Sequence, residues 1–407
     1  MSRIDDLIEQ YAPDGVEHKP LGEVGMFVRG NGLQKRDFVD VGFPCIHYGQ
    51  IYTYYGTSTT STKSFVTDEL SKRLRRAKPG DLIIATTSEN IEDVGKAVVW
   101  LGETEVAFGG HTSVFSHSLE PKYVAYFFQT ESFQAQKKKY VSGTKVKELP
   151  FAGMSKIRIP VPPVEVQREI VRVLDAFAEL EAELEAELEG RRQQYAYYSD
   201  ELLTSGASGA WTTLGEVCTS VVSGGTPLVT RREYYDGGSI PWLRTQEVRY
   251  ADILDTDVKI TEAGLAASAA KWVPQNSVIV AISGAGVTRG RVAINKVPVT
   301  TNQHCCSLVV DHTRVHYRFV YHWLVKQYGE LRSRGQGNRS DLNVGIIKSF
   351  PMPLPSLEEQ KWIAMMLDDF NALVNDLSSG LPAEIEARRQ QYAYYRDRLL
   401  TFKEKTA

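Results

Sequence analysis

The sequence predicts an α+β molecule: two globular mixed α/β domains joined by two long antiparallel coiled-coil helices, with an internal pseudo-twofold repeat. Three observations predict it. The string RRQQYAYY stands at Arg191–Tyr198 and again at Arg388–Tyr395, continuing as SDELLT at 199–204 and RDRLLT at 396–401. IPVPPVEVQREI at 159–170 aligns with MPLPSLEEQKWI at 352–363, pairing Pro160 with Pro353, Pro162 with Pro355 and Gln167 with Gln360, while LGEV at 21–24 returns at 214–217. After each proline cluster, apolar residues recur at alternating steps of three and four, the signature of a helical seam. A period near half the chain decides how everything between must be read.

The expected boundaries are 1–159 for the first globular domain, 160–205 for its helical arm, 206–350 for the second domain and 351–407 for the second arm. A length of 407 residues suits two domains, and 42% hydrophobic with 24% charged residues is the composition of a folded chain. No run reaches the ~18 apolar residues of a membrane span, and Met1–Asp6 lacks the order of a signal peptide, so the chain is expected in the cytoplasm without a membrane partner. Cys45, Cys218, Cys305 and Cys306 form no CxxC pair, which predicts free thiols and neither a disulfide framework nor a zinc site.

The first domain retains only faint echoes of the second: Asp81–Ser88 (DLIIATTS) beside Ser277–Ser283 (SVIVAIS), and GGHTSVF at 109–115 beside NQHCCSL at 302–308. A shared scaffold with divergent loops has this appearance. The elbows Pro160, Pro162, Pro163 and Pro351, Pro353, Pro355 cannot continue a helix and set the exit of each arm. In the first arm the expected interface is Ile170, Phe177, Leu180, Leu184, Tyr195, Tyr198 and Leu202. In the second it is Ile363, Phe370, Leu373, Tyr392, Tyr395 and Leu399. Four extra residues between Leu377 and Ile385, with Gly380 and Pro382, predict a stutter that unwinds or kinks the second arm. Each arm would reach roughly 60 Å at ~1.5 Å per residue, the dimension of a spacer.

Charge is unevenly distributed. Residues 161–205 carry 4 Lys and Arg against 11 Asp and Glu, whereas 206–350 carry 16 against 11. The acidic arm avoids phosphate; the basic domain can meet it. No GxxxxGK[ST] is present, and the glycines of Ser283–Gly290 do not follow a dinucleotide spacing. Asp14 and Glu17 lie too close in sequence to come from two adjacent strands, and His312 and His316 lack an accompanying HExxH. Catalysis by this chain is therefore not expected.

What the loops do offer is base-reading chemistry: Arg and Gln pair with guanine and adenine edges, and Lys and hydroxyls suit phosphate. In the first domain the candidates are Asn31, Lys35 and Arg36 in one glycine-containing loop, Tyr48 and Gln50 in the next, then Lys63 and Lys145. In the second they are Thr226, Arg231 and Arg232 after a Gly-Gly turn, Arg244 and Gln246 at a strand end, Arg289 and Arg291, Gln303, and Asn338 and Arg339.

With these residues in view, the chain resembles the specificity subunit of type I restriction-modification systems over essentially its whole length. The carriers are the doubled RRQQYAYY-x-D-x-LLT, the Pro-rich elbow with its Gln-containing helix, LGEV at both domain starts, and SGGTP, IPWLRT and NQHC in the second domain. The first domain departs from this with VRGNGL in place of VSGGTP. The resemblance implies a non-enzymatic subunit whose two target-recognition domains each read half of a bipartite, asymmetric site in double-stranded DNA, with the arms setting the spacer. It implies two methyltransferase subunits bringing S-adenosylmethionine, and restriction subunits using ATP and Mg²⁺, with no cofactor on this chain. The competing expectation is a coiled-coil scaffold whose domains bind proteins.

Overall fold

The computed structural model of the chain describes residues 3–205, 210–284, 287–335, 341–375 and 380–405. It divides into two compact units, one formed by 1–185 with 384–407 and the other by 186–383.

The first unit contains strands β1 (His18–Pro20), β2 (Gly25–Arg29), β3 (Phe43–Ile46), β4 (Ser58–Thr59), β5 (Ser64–Val66), β6 (Arg75–Ala77) and β7 (Leu82–Ala85). There follow β8 (Thr87–Ser88), β9 (Ala97–Trp100), β10 (Val106–Phe108), β11 (Thr112–His117), β12 (Lys147–Glu148) and β13 (Arg158–Pro160). They form a five-stranded sheet ordered β2-β11-β7-β9-β4 and a four-stranded sheet ordered β5-β3-β10-β6. The run Leu82–Ala85 is apolar throughout because β7 is covered on both faces: Leu82 and Ile84 enter one core cluster with Phe115 and Phe127, while Ile83 and Ala85 enter another with Trp100 and Phe108. The period of two in a strand sends neighbours to opposite faces, so burial of both removes the polar alternation.

In the second unit the strands are β14 (Ala210–Thr213), β15 (Cys218–Ser223), β16 (Ile240–Leu243), β17 (Asp252–Ile253), β18 (Lys259–Ile260) and β19 (Trp272–Val273). The series ends with β20 (Val278–Ala281), β21 (Val292–Asn295), β22 (Val299–Thr301), β23 (Cys305–Val310) and β24 (Pro351–Leu354). Their orders, β15-β23-β20-β21-β17 and β18-β16-β22-β19, repeat those of the first unit strand for strand. Pair directions repeat as well: β3 with β10 and β4 with β9 are parallel, as are β16 with β22 and β17 with β21. Val278 and Val280 face one cluster and Ile279 and Ala281 another, as in β7. The two domains therefore share a topology that their sequences scarcely retain.

Pro160, Pro351 and Pro353 lie in short strands, and Pro162, Pro163 and Pro355 follow them on the way into the arm helices. β13 pairs with β1 and β24 with β14, antiparallel ribbons at whose edges proline needs no N–H partner. Gln167 and Gln360, both buried, tie elbow to domain. Gln167 Nε2 donates to the Pro162 carbonyl at 2.7 Å and its Oε1 accepts from the Glu120 amide at 2.9 Å. Gln360 donates to the Pro355 carbonyl at 2.8 Å and accepts from the His316 amide at 2.8 Å. About two helical turns further along in each arm, Asp175 accepts from Lys122 Nζ at 2.8 Å and the Tyr126 hydroxyl at 2.6 Å, and Asp368 meets Arg318 at 3.1 Å and His322 at 2.8 Å.

The first arm is one helix, Val164–Ser205, and the second is described as two, Leu357–Asn375 and Leu381–Leu399. Residues 376–379, the first part of the segment where the stutter is expected, lie outside the described residues, while Pro382 sits in the first turn of the last helix, where its missing N–H is harmless. In the first unit, Phe177 stacks on Tyr395 at 5.5 Å and lies 6.4 Å from Tyr392, and Arg389 pairs with Glu181 at 2.6 Å and with Glu185. Partners that descend in one helix as they rise in the other make this pair antiparallel. Ile170 is buried in the domain core, with Leu399 against the same cluster. In the second unit, Tyr198 lies 5.9 Å from Phe370, and Tyr195 and Leu202 pack on the cluster holding Leu203, Ile363 and Leu367.

Leu184 is half-buried, but Leu180, Tyr198 and Leu373, expected in the seam, are 36%, 38% and 38% exposed. The covered stripe steps by four from Phe177 to Glu181 and from Phe370 to Val374, because a 3.6-residue turn drifts from a strict seam and rotates the leucines outward. No helix among the described residues is long and apolar enough to cross a membrane.

Candidate nucleic-acid interface

Each unit carries a polar cleft at the same topological place, between the segment following β3 or β16 and the segment preceding β11 or β23. In the first, the walls are Gly32, Leu33, Gln34, Lys35, His47, Tyr48, Gly110 and His111. His47 caps the helix Tyr48–Thr53, its Nδ1 accepting from the Gly49 amide at 3.2 Å. Burial, with Lys35 and His111 adding positive potential, holds its pKa below the ordinary histidine value. Tyr48 lies 4.5 Å from the His47 ring and 5.0 Å from that of His111, and His111 Nδ1 shares a hydrogen bond with the Thr87 hydroxyl at 3.1 Å. The floor is thus an aromatic group of fixed orientation, with exposed Lys35 at its rim.

The second cleft is walled by Thr245, Gln246, Ser283, Gly284, Thr288, His304 and Asp341. The Ser283 hydroxyl and His304 Nδ1 are 2.5 Å apart, and His304 Nε2 lies 3.3 Å from Gln303 Nε2. Gln303 in turn accepts a hydrogen bond from Thr226, which joins the Gly-Gly turn to the cleft. Gly224 is required there, since a Cβ would stand 1.8 Å from the Thr301 carbonyl oxygen. Trp242 Nε1 donates to the Gly225 carbonyl at 3.0 Å and the Tyr235 hydroxyl to that of Pro227 at 2.6 Å, holding the loop whose tip, Leu228 and Val229, is 60% and 73% exposed.

Of the residues expected to read bases, Lys35, Tyr48 and Gln246 line a cleft, and Thr226 and Gln303 are bonded to its edge. Others are engaged within their own domain. Asn31 donates to the Arg73 carbonyl and accepts from the Arg75 amide, both at 2.9 Å, and Gln50 donates to Ser64 at 2.6 Å. Arg244 pairs with Glu247 and Asp257 at 3.4 Å, Arg231 with Glu233 at 3.2 Å, and Arg291 lies over Tyr250 at 5.8 Å. Lys63 stands 4.6 Å over the Tyr54 ring. Arg36, Lys145 and Arg232 are exposed and are not among the cleft walls, and Arg289 is half-buried. Asn338 and Arg339 lie outside the described residues.

His47, His111, Ser283, Thr288, His304 and Asp341 were not singled out by residue type. The signal available for two of them was the alignment of GGHTSVF with NQHCCSL, which superposes His111 on His304.

A family model described as the type I restriction modification DNA specificity domain matches twice, over residues 13–190 and 210–387. The specificity subunit of the type I restriction enzyme EcoR124I/EcoR124II of Escherichia coli is 33% identical over 290 residues, covering 69% of this chain and 70% of that protein. A structure solved to show complex assembly and conformational transition of the type I R-M system aligns with a TM-score of 0.62 at 18% identity, over 96% of this chain and 98% of the other. The S subunit of a type I restriction-modification system from M. genitalium aligns with a TM-score of 0.55 at 14% identity, over 94% and 96%. At these identities the two structures speak for the fold.

Proposed function

The chain belongs to the type I restriction modification DNA specificity family, whose domain it carries twice, and from that premise we propose that each domain reads one half of a bipartite, asymmetric target in double-stranded DNA. The chain is the DNA sequence-specificity subunit of such a system and is itself non-catalytic. The observation that supports the half-by-half reading is the pair of clefts: one topology places them identically, yet their linings differ almost completely. Identical scaffolds with different readers suit two unlike half-sites.

The arm helices are the spacer in this reading, with limits at 160–205 and 351–407 flanking recognition domains 1–159 and 206–350. Trp362, Met365, Tyr197 and Tyr394 are at least half exposed on these helices and suit the docking of two methyltransferase subunits. Those partners would bring S-adenosylmethionine and flip the target adenine, and restriction subunits would bring ATP and Mg²⁺.

Co-expression with the partner methyltransferase, followed by mapping of methylated adenines, tests the reading. A two-part motif with a fixed gap, lost when this chain is omitted, is expected. Exchanging residues 21–150 or 214–345 for those of another specificity chain must change one half of the motif and leave the other. A protein-binding scaffold would leave the methylated sequence unchanged in both exchanges.

A further inference from the structure

The two clefts share one wall, the histidine that precedes β11 or β23, and in each unit a hydroxyl is bonded to it. In the first unit Thr87, which opens β8, shares a hydrogen bond with Nδ1 of the cleft residue His111, just before β11. At the corresponding place after β20, Ser283 does so with Nδ1 of His304, just before β23. We propose that these hydroxyl–imidazole pairs, Thr87–His111 and Ser283–His304, are the equivalent base-reading elements of the two domains, each determining one position of its own half-site. This inference rests on the specificity reading above and names the residues that perform it.

Each pair fixes its imidazole through Nδ1 and leaves one directed polar group for a ligand, the far ring nitrogen in the first unit and the serine hydroxyl in the second. In the second unit the hydrogen bonds form a chain. The Thr226 hydroxyl donates to Gln303 Oε1, so the Gln303 amide N–H₂ faces His304 Nε2 and donates to it. His304 then carries its proton on Nδ1 and donates to Ser283, whose own O–H is released toward the cleft. In the first unit Gly110 stands where Gln303 stands in the second. His111 Nε2 accordingly has no hydrogen bond among the described residues and itself faces the cleft, its ring held by Tyr48 at 5.0 Å.

In the second cleft electrostatics favours base edges over phosphate. The second cleft holds the Asp341 carboxylate among neutral donors and acceptors, which repels phosphate and suits the exocyclic amino group of cytosine or adenine. The first holds Lys35, which suits the acceptor-rich edge of guanine. Opposite charges beside a shared pair also explain how two domains of one topology read different bases.

The test uses the assembled methyltransferase complex and a target library randomised at both half-sites. Thr87→Val and His111→Ala should relax selection at one position of the first half-site by about tenfold or more, the effect of losing one good base contact, with the second half-site unchanged. Ser283→Ala and His304→Ala should do the reverse. Thr87→Val and Ser283→Ala are nearly isosteric, so they separate loss of reading from loss of fold. Unchanged selection in all four variants, or weakened methylation of every sequence alike as a phosphate contact would give, overturns the inference while the wild-type two-part motif stands. A wild-type complex with no two-part motif overturns the specificity reading and this inference with it.

Discussion

Gln167 and Gln360 show how a single side chain joins a repeat motif to a fold. Each is buried, each spends its amide on an elbow carbonyl, and each offers its oxygen to the first backbone N–H region of the helix beside the arm. Substituting alanine strands those buried backbone groups, so Gln360→Ala should cost about 1–3 kcal/mol in urea unfolding. Their pairing was legible in the aligned elbows; their partners, Glu120 and His316, were not, because they lie 47 and 44 residues away.

His117 makes a pH-dependent contribution. Packed 5.0 Å from Phe115 with both ring nitrogens shielded from water, it has its pKa pushed by burial from 6.5 down to about 4. The unfolded chain takes up this proton as pH falls through 6.5 and the folded chain does so only near 4. Stability is therefore lost across that window, by up to roughly 3 kcal/mol. Comparing unfolding at pH 7 and pH 4.5, His117→Gln should lose less stability on acidification than the parent chain.

At the scale of elements, the strand-to-loop junctions after β2 and β15 obey one steric rule. A Cβ on Gly30 would stand 2.0 Å from the Gly109 carbonyl oxygen, and one on Gly224 would stand 1.8 Å from that of Thr301. Both neighbours are backbone and cannot yield, so Gly30→Ala should displace the first cleft and Gly224→Ala the second. Half-site-resolved methylation should show each losing selectivity in its own half. In the arms, apolar contact outweighs charge. Arg389 is half exposed beside Glu181 and Glu185, and Arg389→Ala should change stability by less than about 1 kcal/mol. Phe177→Ala, which removes the stack on Tyr395 and Tyr392, should cost more than Arg389→Ala in the same denaturation series.

For the whole molecule, the arms matter through their length in residues. The extra segment between Leu377 and Ile385 distinguishes the second arm from the first. Deleting four residues around Ser378–Leu381 should shift arm register and so impair assembly or change the gap between half-sites, read directly from the methylated motif; an unchanged gap with normal assembly contradicts the spacer role. Charge acts at this scale too. With an acidic arm and only a modest basic excess in 206–350, DNA affinity should depend heavily on subunits beyond this chain.

The sequence by itself determined the duplication, the elbows, the helical arms and the scarcity of catalytic motifs, because these are written as periodicities and identical strings along the chain. Only the tertiary structure decided which polar side chains face a ligand. Asn31, Gln50 and Arg244 have the chemistry of base readers, yet their hydrogen bonds are made inside their domains. His111, Ser283, His304 and Asp341 reach the clefts because strand ends and loops far apart in sequence converge there. Residue type sets what a group can bond; the backbone path around it sets whether that bond is already made.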